Sequence, residues 1–353
     1  MRGLVKYALG PGNVEVRELD VPALPGDDWV LIKVKACGLC MTDIHVQHGT
    51  FRNYPPIVLG HELSGVIEKV GSKVKRFKPG ERVVTECKTG SCGVCAVCQQ
   101  GKANFCPDRR GPGWGINGGM ADYIVMPQTT LHLIPDSLPF DVAALTEPLS
   151  CVISAMDELA GMHPGDVVFV SGCGSIGMLA AAAAKCCGAS KVIISGVAKS
   201  ESLRFKVAQS IGVDAVINVE KENPVERIME LTDGHGADLI VETSGAPIAI
   251  SQSVQAAAIL GRIVALGFTG DNHASIEWNT CIYKGLTLKN SFSSGYTSYE
   301  KAIALMSRNV ELFRQIITSH QTIDEWQAAF ARQAEEQDIK AMIIPADEIY
   351  AYK

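Results

Sequence analysis

Four cysteines of this 353-residue chain are spaced closely enough to hold one metal ion together. Cys92, Cys95, Cys98 and Cys106 follow the pattern C-x2-C-x2-C-x7-C. Thiolates at such spacing can close a tetrahedral shell around zinc, because the short gaps turn consecutive sulfurs inward and the longer gap returns the fourth. Four protein ligands leave no open position for chemistry, so the pattern predicts a structural zinc site. The alternative is a set of four unrelated free thiols.

A glycine-rich segment has the spacing of a phosphate-binding loop. The stretch Gly172–Gly177 reads G-x-G-x-x-G, directly follows the apolar run Val167–Val170 and opens a helical stretch. In this context the glycines permit a tight turn, a close approach to a pyrophosphate and close packing of helix on strand, and the helix N-terminus favours an anion. We therefore predict a dinucleotide-binding loop that consists of Gly172, Gly174, Ser175, Ile176 and Gly177. A glycine-rich turn without a ligand is the alternative.

The residue that would select between NAD and NADP is less clearly marked. In NAD-binding domains a carboxylate about 20 residues after the loop binds the adenosine ribose. Gly196 stands at that place, at the end of the strand-like run Lys191–Ser195. In the next loop Glu201 could hold the ribose hydroxyls, Lys199 could neutralise a 2′-phosphate, and both could be solvated charges. We expect NAD to be favoured over NADP by a small margin.

A thiol, an imidazole and a carboxylate in three separate stretches suggest a second metal site. They are Cys40 in Cys-Met-Thr-Asp-Ile-His, His61 in Gly-His-Glu, and Glu147 in Glu-Pro-Leu-Ser. Three such ligands would leave the fourth position of a catalytic zinc open for water or substrate. Each has a competing interpretation: Cys37 and Cys40 resemble a redox C-x-x-C pair, the Gly-His-Glu stretch could be a surface turn, and Glu147 could cap the next helix. Spacing alone leaves these alternatives open.

The elements that must position these residues fall into two groups. Before about residue 150 the chain is rich in Gly and Pro with short β-branched runs, which predicts a strand-and-loop domain of small sheets. After about residue 160, strand-like runs alternate with helical stretches, which predicts βαβ units around a parallel sheet. The tail holds two amphipathic helices and a final strand, Lys340–Ile344, and we expect it to pack on the first domain.

Composition argues against several classes of function. The formal net charge of -6 disfavours a broad nucleic-acid surface, and 47% hydrophobic residues suffice for sizeable cores. The N-terminus lacks the apolar run of a signal peptide, and the most apolar helical stretch, Met178–Cys187, is too short to span a bilayer. Twelve cysteines without an export signal indicate a reducing cytoplasm, where thiols stay free or bind metal. Disulfides are the alternative.

Taken together, the motifs resemble those of the zinc-dependent medium-chain alcohol and polyol dehydrogenase family, and most closely its sorbitol and threonine dehydrogenase branch. The matching segments follow the family's order and are Cys40–His45, Gly60–Glu62, Cys92–Cys106, Gly118–Tyr123, Glu147–Ser150 and Gly172–Gly177. The resemblance implies an α/β protein with a GroES-like β-rich catalytic domain at 1–152, which includes a structural zinc lobe at about 87–110. A Rossmann domain with a doubly wound parallel sheet would span 153–289, and a return segment, 290–353, would complete the catalytic domain.

The resemblance also implies a role for each zinc-site residue. Cys40, His61 and Glu147 match the catalytic zinc ligands, and the four cysteines of the lobe match the structural zinc ligands. Glu62 matches a carboxylate beside the metal, which in polyol-type members can ligate it while the later glutamate acts through water. Two zinc ions per chain are therefore expected.

Three residues next to Cys40 match the proton-handling part of the family's site. Asp43 matches a carboxylate that orients the histidine ligand and fixes its tautomer. Thr42 matches the hydroxyl that receives the substrate proton, and His45 matches the relay to solvent.

The chain departs from the family pattern at three positions. Met41 replaces a glycine that is usual in this branch, and Gly196 replaces the cofactor-choosing aspartate. Ser293 stands where sorbitol dehydrogenases carry an arginine that faces the substrate, which weakens the prediction of sorbitol itself.

We expect reversible oxidation of a secondary alcohol to a ketone, with hydride transfer to NAD or NADP. A polyol or polyol phosphate is the leading substrate class, followed by a simple secondary alcohol or a 3-hydroxy amino acid. Rivals from other classes are a zinc-free reductase of the same superfamily, against which both zinc patterns count, and a non-catalytic zinc-binding structural relative. The expected partners are a small-molecule alcohol and further copies of the chain in a dimer or tetramer, with no nucleic acid and no membrane.

Five other residues carry no functional prediction. Cys87 could be a spare thiol. Arg109 and Arg110 form a basic pair that is typical of a solvated turn. Lys284 and Lys340 could reach substrate or cofactor, but nothing in the sequence places them.

Overall fold

The structure, a computed structural model, describes residues 1–270 and 272–352. Its contacts divide the chain into two units. Unit 1 comprises Met1–Glu147, Gly295–Val310 and the chain from Ile317 onward, and unit 2 comprises Pro148–Ser294 and Glu311–Ile316.

The domain boundaries predicted at 152/153 and 289/290 lie a few residues away from these divisions. The first of them falls at the end of a helix that spans Thr146–Ile153 and continues into a π-helical turn, Ser154–Leu159. A proline in the sequence usually indicates the end of a helix, so Pro148 hides this continuity. It is tolerated here because it lies in the first turn, where the backbone N–H has no partner within the helix. The assignment of domains by function stays a prediction.

The elements of the first part of the chain are mainly short strands. They are β1 (Arg2–Lys6), β2 (Val14–Glu18), β3 (Trp29–Gly38), α1 (Met41–Gln47), β4 (Ile57–Val58), β5 (Glu62–Val70), β6 (Arg82–Thr85), α2 (Ala96–Gln99), β7 (Tyr123–Pro127), β8 (Leu131–Leu133), α3 (Phe140–Ala144) and α4 (Thr146–Ile153).

In the middle part, strands and helices alternate, as the sequence predicts. They are β9 (Val167–Ser171), α5 (Ser175–Cys186), β10 (Lys191–Gly196), α6 (Arg204–Ser210), β11 (Ala215–Asn218), α7 (Pro224–Leu231), β12 (Ala237–Glu242), α8 (Pro247–Ala256), β13 (Ala257–Ala265), α9 (Trp278–Lys284) and β14 (Thr287–Asn290). The tail adds α10 (Tyr296–Arg308), α11 (Val310–Arg314), β15 (Ile317–Gln321), α12 (Trp326–Ala334) and β16 (Lys340–Ile343).

Unit 1 is organised around the long strand β3. It lies between β16 and β5 in a sheet with the order β15-β16-β3-β5-β6-β8, and it also pairs with β7; β2, β1 and β4 form a second, three-stranded sheet. Alternate β3 residues such as Val30, Ile32 and Val34 are buried in the core. Because β16 pairs with the end of β3, at Met342 opposite Gly38, the tail contributes directly to the sheet of this unit.

Unit 2 is a parallel sheet with intervening helices. Its order, β11-β10-β9-β12-β13-β14, is the 3-2-1-4-5-6 order of a doubly wound dinucleotide-binding sheet. The central strand is a continuous apolar run because helices cover both faces of such sheets, and Val168 and Val170 are fully buried. Helix α5 follows with a run of buried alanines that allows close packing. The predicted α/β class is confirmed.

One element differs from the sequence-based expectation. The small and apolar residues of 248–259 are typical of a helix and lead to a helix over 248–259 with a strand from Arg262, yet α8 ends at Ala256 and β13 begins at Ala257. Ala257 pairs with Ala237 of β12, and the strand then passes through an irregularity at Leu260, where φ is +62°. The apolar residues of this stretch fit both the period of a helix and that of a strand, so the pairing with β12 determines where the strand begins.

The described residues contain no helix that combines the length and the apolar character needed to cross a membrane.

The end of β10 explains why glycine occupies position 196. A Cβ atom on Gly196 would lie 2.3 Å from Cys173 Sγ and 2.7 Å from the ring of Phe205. Both neighbours are buried, at 4% and 9% exposure, so neither can move away freely. An aspartate therefore does not fit there in the observed packing.

We predict that Gly196→Ala lowers the free energy of unfolding by about 1–3 kcal/mol, because it overpacks this corner. Urea titration with Gly90→Ala as the control tests this, since a Cβ on Gly90 meets no atom within 4 Å. Equal midpoints for the two variants would show that the corner has spare room.

Candidate metal centres and cofactor loop

The sulfurs of the cysteine lobe, Cys92–Cys106, are arranged as the corners of a tetrahedron. The sulfur atoms are separated by 3.5 Å for Cys95–Cys98, 3.6 Å for Cys92–Cys106, 3.9 Å for Cys95–Cys106 and 4.0 Å for Cys92–Cys98. Sulfurs at ~2.3 Å from a zinc ion would be about 3.8 Å apart. Backbone N–H groups of Val94 and Cys95 lower the pKa of Cys92 to about 7. The donor set and its geometry fit a closed structural metal site.

Three donors of unit 1 meet where β3 ends and β5 begins. Cys40 is the N-cap of α1, and Glu62 opens β5 opposite Gly38. The ligand atoms of Cys40, His61 and Glu62 all lie within 4.8 Å of one another. Gly38 is required here, because a Cβ at that position would lie 2.2 Å from a Glu62 carboxylate oxygen. Strand pairing thus brings a thiol, an imidazole and a carboxylate together.

Asp43 links the segment that contains Cys40 to the segment that contains His61. Its buried carboxylate accepts the backbone N–H of Cys40 and that of Gly60, each at 3.0 Å. The Oδ1 atom also lies 3.8 Å from Nδ1 of His61, which has no hydrogen-bond partner among the described residues. With Nδ1 turned toward this carboxylate, Nε2 is the ring nitrogen left for a metal.

Lys340 is a site residue that the sequence did not place. Its Nζ lies 2.8 and 2.7 Å from the two Glu62 carboxylate oxygens and 3.1 Å from the carbonyl oxygen of Leu39. Lys340 is 3% exposed and Glu62 is 1% exposed, so this is a fully buried ion pair. A lysine in the otherwise apolar strand β16 was the available signal, because a buried ammonium requires an anionic partner.

Cys87 is a second residue that the sequence analysis missed. The ligand atoms of His61, Cys87 and Glu147 all lie within 4.8 Å of one another, so His61 belongs to two donor groups. Cys87 follows β6, and Glu147 lies in the first turn of α4. Cys87 is a thiol beside the predicted ligands rather than a spare one. The only signal was its position after a strand that pairs with β5.

The donor cluster has an excess of negative charge that a cation would stabilise. Burial disfavours the protonated His61 ring, yet the two neighbouring thiolates and the Asp43 carboxylate outweigh burial and raise its pKa well above the usual value. Burial raises the pKa of Glu147, and the charge of His61 opposes that rise. Negative donors gathered around one buried imidazole are the surroundings that a divalent zinc ion stabilises. The residues present fit such an ion.

The predicted proton-handling residues lie together on α1. The half-buried Thr42 hydroxyl is 3.6 Å from Cys40 Sγ, and His45 is exposed with its Nδ1 3.3 Å from the Thr50 hydroxyl. Thr42 and His45 are three residues apart, so they share one face of the helix. One end of this face is at the donor cluster and the other is at solvent.

The glycine loop of unit 2 has the geometry of a phosphate cradle. Gly172 has φ +105°, and a Cβ on Gly177 would lie 1.9 Å from the Gly172 carbonyl oxygen, whereas a Cβ on Gly174 would meet no atom within 4 Å. Ser175 and Ile176 form the first turn of α5, and the buried Ser175 hydroxyl has no hydrogen-bond partner among the described residues. The open space at Gly174 and this unsatisfied hydroxyl fit a bound pyrophosphate.

The two charged candidates for the ribose differ in their surroundings. The Glu201 carboxylate accepts hydrogen bonds from Asn218 and from Lys221, both at 2.6 Å. These contacts lower its pKa and direct it toward β11. Lys199 is exposed in the turn that follows β10. Glu201 is thus engaged by other protein groups.

Lys284 has a structural environment. Its ammonium donates to the carbonyl oxygens of Gln255 at 2.6 Å and Ala257 at 2.7 Å, at the end of α8. It therefore satisfies backbone acceptors that the helix leaves open.

Arginines of unit 1 gather on two aromatic side chains. The Arg110 guanidinium lies 3.9 Å from the ring centroid of Tyr54 and donates to its hydroxyl, to which Arg52 also donates. Arg109 lies 5.4 Å from the ring centroid of Trp114. Arg109 also opposes the burial-driven rise in the pKa of Cys87 and Glu147, so its charge acts on the donor cluster. This pair is more than a solvated turn.

Comparisons with known proteins cover both halves of the chain. The model of the alcohol dehydrogenase GroES-like domain matches residues 26–136, and that of the zinc-binding dehydrogenase family matches residues 175–308. A D-arabitol-phosphate dehydrogenase of Enterococcus avium is 33% identical over 344 residues, 97% of each chain. A sorbitol dehydrogenase of Halalkalibacterium halodurans is 35% identical over 98% of this chain and 100% of its own length.

A solved structure supports the same assignment over nearly the full length. A Sinorhizobium meliloti 1021 protein, described as a zinc-binding dehydrogenase and bound to NADP, has a TM-score of 0.90 at 30% identity and covers 98% of this chain and 99% of its own. With its GroES-like and Rossmann-type parts and its donor cluster, this chain belongs to the zinc-dependent medium-chain alcohol and polyol dehydrogenase family.

Proposed function

We propose that this dehydrogenase oxidises the secondary alcohol of a polyol phosphate to a ketone, with a catalytic zinc held at the His61 cluster. The observation that carries the proposal is the meeting of thiol, imidazole and carboxylate donors around one buried ring. A zinc ion held there would act as a Lewis acid and lower the pKa of the alcohol. We assign Cys40, His61 and Glu147 as its ligands.

Glu62 has a supporting role in this proposal. Both of its carboxylate oxygens are engaged by Lys340, which compensates its charge and holds it at the edge of the cluster. Glu147, whose carboxylate oxygen lies within 4.8 Å of a His61 ring nitrogen, is therefore the better candidate for the ligand position. Glu62 would adjust the field at the metal without occupying a coordination position.

The chain's own residues handle the proton. Thr42, whose hydroxyl lies 3.6 Å from Cys40 Sγ, would accept the proton of the alcohol at its hydroxyl oxygen while passing its own hydrogen on. His45, on the same helix face and exposed, would deliver the proton to solvent, since an imidazole titrates near neutral pH. The dinucleotide supplies the hydride-accepting chemistry when it is bound.

The cysteine lobe would hold a second, structural zinc. Four thiolates close the shell, so this ion stabilises the loop and takes no part in the reaction. Two zinc ions per chain follow from this pair of assignments.

The two sites predict opposite phenotypes. Cys40→Ser should abolish alcohol oxidation while leaving the unfolding midpoint and dinucleotide binding nearly unchanged, because only the catalytic ion loses a ligand. Cys95→Ser should lower stability, because the closed shell loses a thiolate. Steady-state kinetics and thermal unfolding of both variants test this. Normal turnover by Cys40→Ser would refute the ligand assignment.

For the cofactor we propose that the chain uses NADP at least as well as NAD, which revises the small margin for NAD expected from the sequence. Gly196 has no room for an acid, and Glu201, the alternative acid, is engaged by Asn218 and Lys221. Position 196 therefore carries no acid that would repel a 2′-phosphate, and Lys221 compensates the charge of Glu201. Lys199 would attract the phosphate. The NADP bound to the Sinorhizobium meliloti protein is consistent with this choice.

The cofactor proposal predicts a selective effect at Lys199. Lys199→Ala should lower kcat/KM for NADP by about tenfold or more, the value of one charge-assisted hydrogen bond, and change that for NAD little. Lys206→Ala, on the neighbouring helix α6, is the control for loss of a positive charge. A wild-type preference for NAD above about a hundredfold would contradict the proposal.

For the substrate we propose that a phosphate group is recognised by Arg52 and Arg110, which both donate to the Tyr54 hydroxyl. Arg52 and Arg110 direct their guanidinium groups to a tyrosine hydroxyl and a backbone carbonyl, and no carboxylate neutralises either of them among the described residues. Guanidinium groups suit phosphate because they donate two parallel hydrogen bonds. The Enterococcus avium relative is named for a polyol phosphate, which agrees with this chemistry.

The substrate proposal predicts a KM effect that depends on the phosphate. Arg52→Gln should raise KM for a polyol phosphate at least about tenfold and leave KM for the unphosphorylated polyol unchanged, because only one substrate carries the anion. Arg17→Gln, which pairs with Glu15 on β2, is the matched control. Equal shifts for the two substrates would reject phosphate recognition by Arg52.

The oligomeric state and compartment complete the proposal. Exposed apolar side chains occur on the edge elements of unit 2, namely Ile259, Leu260, Trp278, Ile282, Tyr283 and Leu288. Such a group beside the edge strand β14 is suited to pairing with a second copy, so we propose a homo-oligomer. None of the twelve cysteines, all of which lie in the described residues, forms a disulfide, which suits a reducing cytoplasm.

A further inference from the structure

We propose that Cys87 is a further protein ligand of the catalytic metal and closes its shell in the resting enzyme. The inference rests on the proposed function, since it requires a metal at the His61 cluster. It adds a second thiolate to the one supplied by Cys40. It also means that the alcohol enters by displacing a protein ligand.

The donor atoms of Cys87, His61 and Glu147 lie close enough to share one ion. Cys87 Sγ, a His61 ring nitrogen and a Glu147 carboxylate oxygen all lie within 4.8 Å of one another. Two donors on one tetrahedral zinc are about 3.3–3.8 Å apart at Zn–ligand distances of ~2.0–2.3 Å. Because a thiol rotates about a single side-chain torsion, Cys87 can reach such a position without a backbone shift.

The His61 cluster contains enough donor side chains to close a four-ligand shell. Five side chains offer ligand atoms at the two overlapping groups, and they are Cys40, His61, Glu62, Cys87 and Glu147. Glu62 is held by Lys340 through both carboxylate oxygens. Four donors remain, which is the number that completes a tetrahedral zinc site, and two of them are the soft thiolates that zinc binds well.

The backbone of Cys87 is fixed by hydrogen bonds to neighbouring elements. Its N–H donates to the hydroxyl of Tyr299 at 3.0 Å, and Tyr299 is 1% exposed on α10. The preceding residue, Glu86, donates its backbone N–H to the carbonyl oxygen of Thr130 at 2.8 Å. Cys87 itself is 8% exposed. The backbone hydrogen bonds and the burial therefore hold Cys87 in a fixed position beside the proposed metal ligands.

A closed resting site changes how substrate binding works. The family pattern of three ligands leaves a position open for water or substrate. With Cys87 in that position, the alcohol must replace the thiolate or expand the shell to five donors. Removal of the Cys87 side chain should therefore lower the affinity of the site for the metal without abolishing alcohol oxidation.

The test uses cobalt at the weaker of the two metal sites of the full-length protein. A chelator removes the catalytic ion while the lobe keeps its zinc, and Co²⁺ is then added. Sulfur-to-cobalt charge transfer in the near ultraviolet reports the number of bound thiolates. Wild type, Cys87→Ala and Cys40→Ala are compared, and Cys37→Ala is the control, because Cys37 is a fully buried thiol of the same unit outside both donor groups.

The expected result is a band that falls by about half in Cys87→Ala and in Cys40→Ala, since each removes one of two soft ligands, and that is unchanged in Cys37→Ala. The catalytic metal should also be lost to a competing chelator at about tenfold lower chelator concentration in Cys87→Ala. A full band in Cys87→Ala, with the band reduced in Cys40→Ala, would overturn the inference and leave the proposed function intact. A wild-type band that is absent, or indifferent to Cys40, would instead reject the proposed function.

A measurement on the unaltered protein covers the case in which the variants fail to fold. Alkylation with iodoacetamide, followed by peptide mapping, should modify Cys87 after removal of the catalytic metal and spare it when zinc is restored. Equal modification of Cys87 with and without the metal would overturn the inference.

Discussion

The structure of unit 1 depends on one electrostatic constraint: several acidic donors converge on a single buried imidazole. Two thiols and two carboxylates lie within 4.8 Å of a His61 ring nitrogen, and His61, Glu62 and Cys87 are buried. Burial of one unpaired charge costs several kcal/mol, so the charged groups of such a cluster need partners of opposite charge. Compensation comes in part from Lys340, and the proposed zinc ion would supply the rest. The cluster therefore links folding, metal binding and catalysis in one place.

This constraint explains why distant parts of the chain are joined as they are. Cys40 follows β3, His61 precedes β5, Cys87 follows β6, and the lysine comes from β16 near the end of the chain. The sheet order places these strand ends side by side. Asp43 adds a direct link between the segments of Cys40 and Gly60. Because β16 carries the cation, the tail completes the charge balance of the site as well as the sheet.

Much of this could be predicted from the sequence, and for identifiable reasons. The cysteine lobe and the glycine loop are local patterns, so spacing alone nearly determines their geometry. The alternation of strands and helices likewise predicts the parallel sheet. The assignment of Cys40, His61 and Glu147 to one site came from a resemblance, because their separation in sequence carries no distance information. It stays a prediction, since the structure places Cys40 and Glu147 in two donor groups that share His61.

The residues that were missed share one physical property: their function depends on a partner in another strand. Lys340 is an ordinary lysine until β16 is seen to pair with β3 and to place it against Glu62. Cys87 has no ligand spacing, and only the pairing of β6 with β5 brings it beside His61. The lack of room for a side chain at Gly196 is also a tertiary effect, since Cys173 and Phe205 fill the space where a Cβ atom would lie. These contacts are long-range, and residue type alone does not encode them.

The central claim is that the His61 cluster holds a metal ion. An anomalous difference map from crystals of the protein purified without chelator, recorded on both sides of the zinc absorption edge, tests it most directly. The account predicts two peaks per chain, one enclosed by the four lobe sulfurs and one in contact with Cys40, His61 and Glu147. A single peak at the lobe, with ordered density for an unliganded His61, would contradict it.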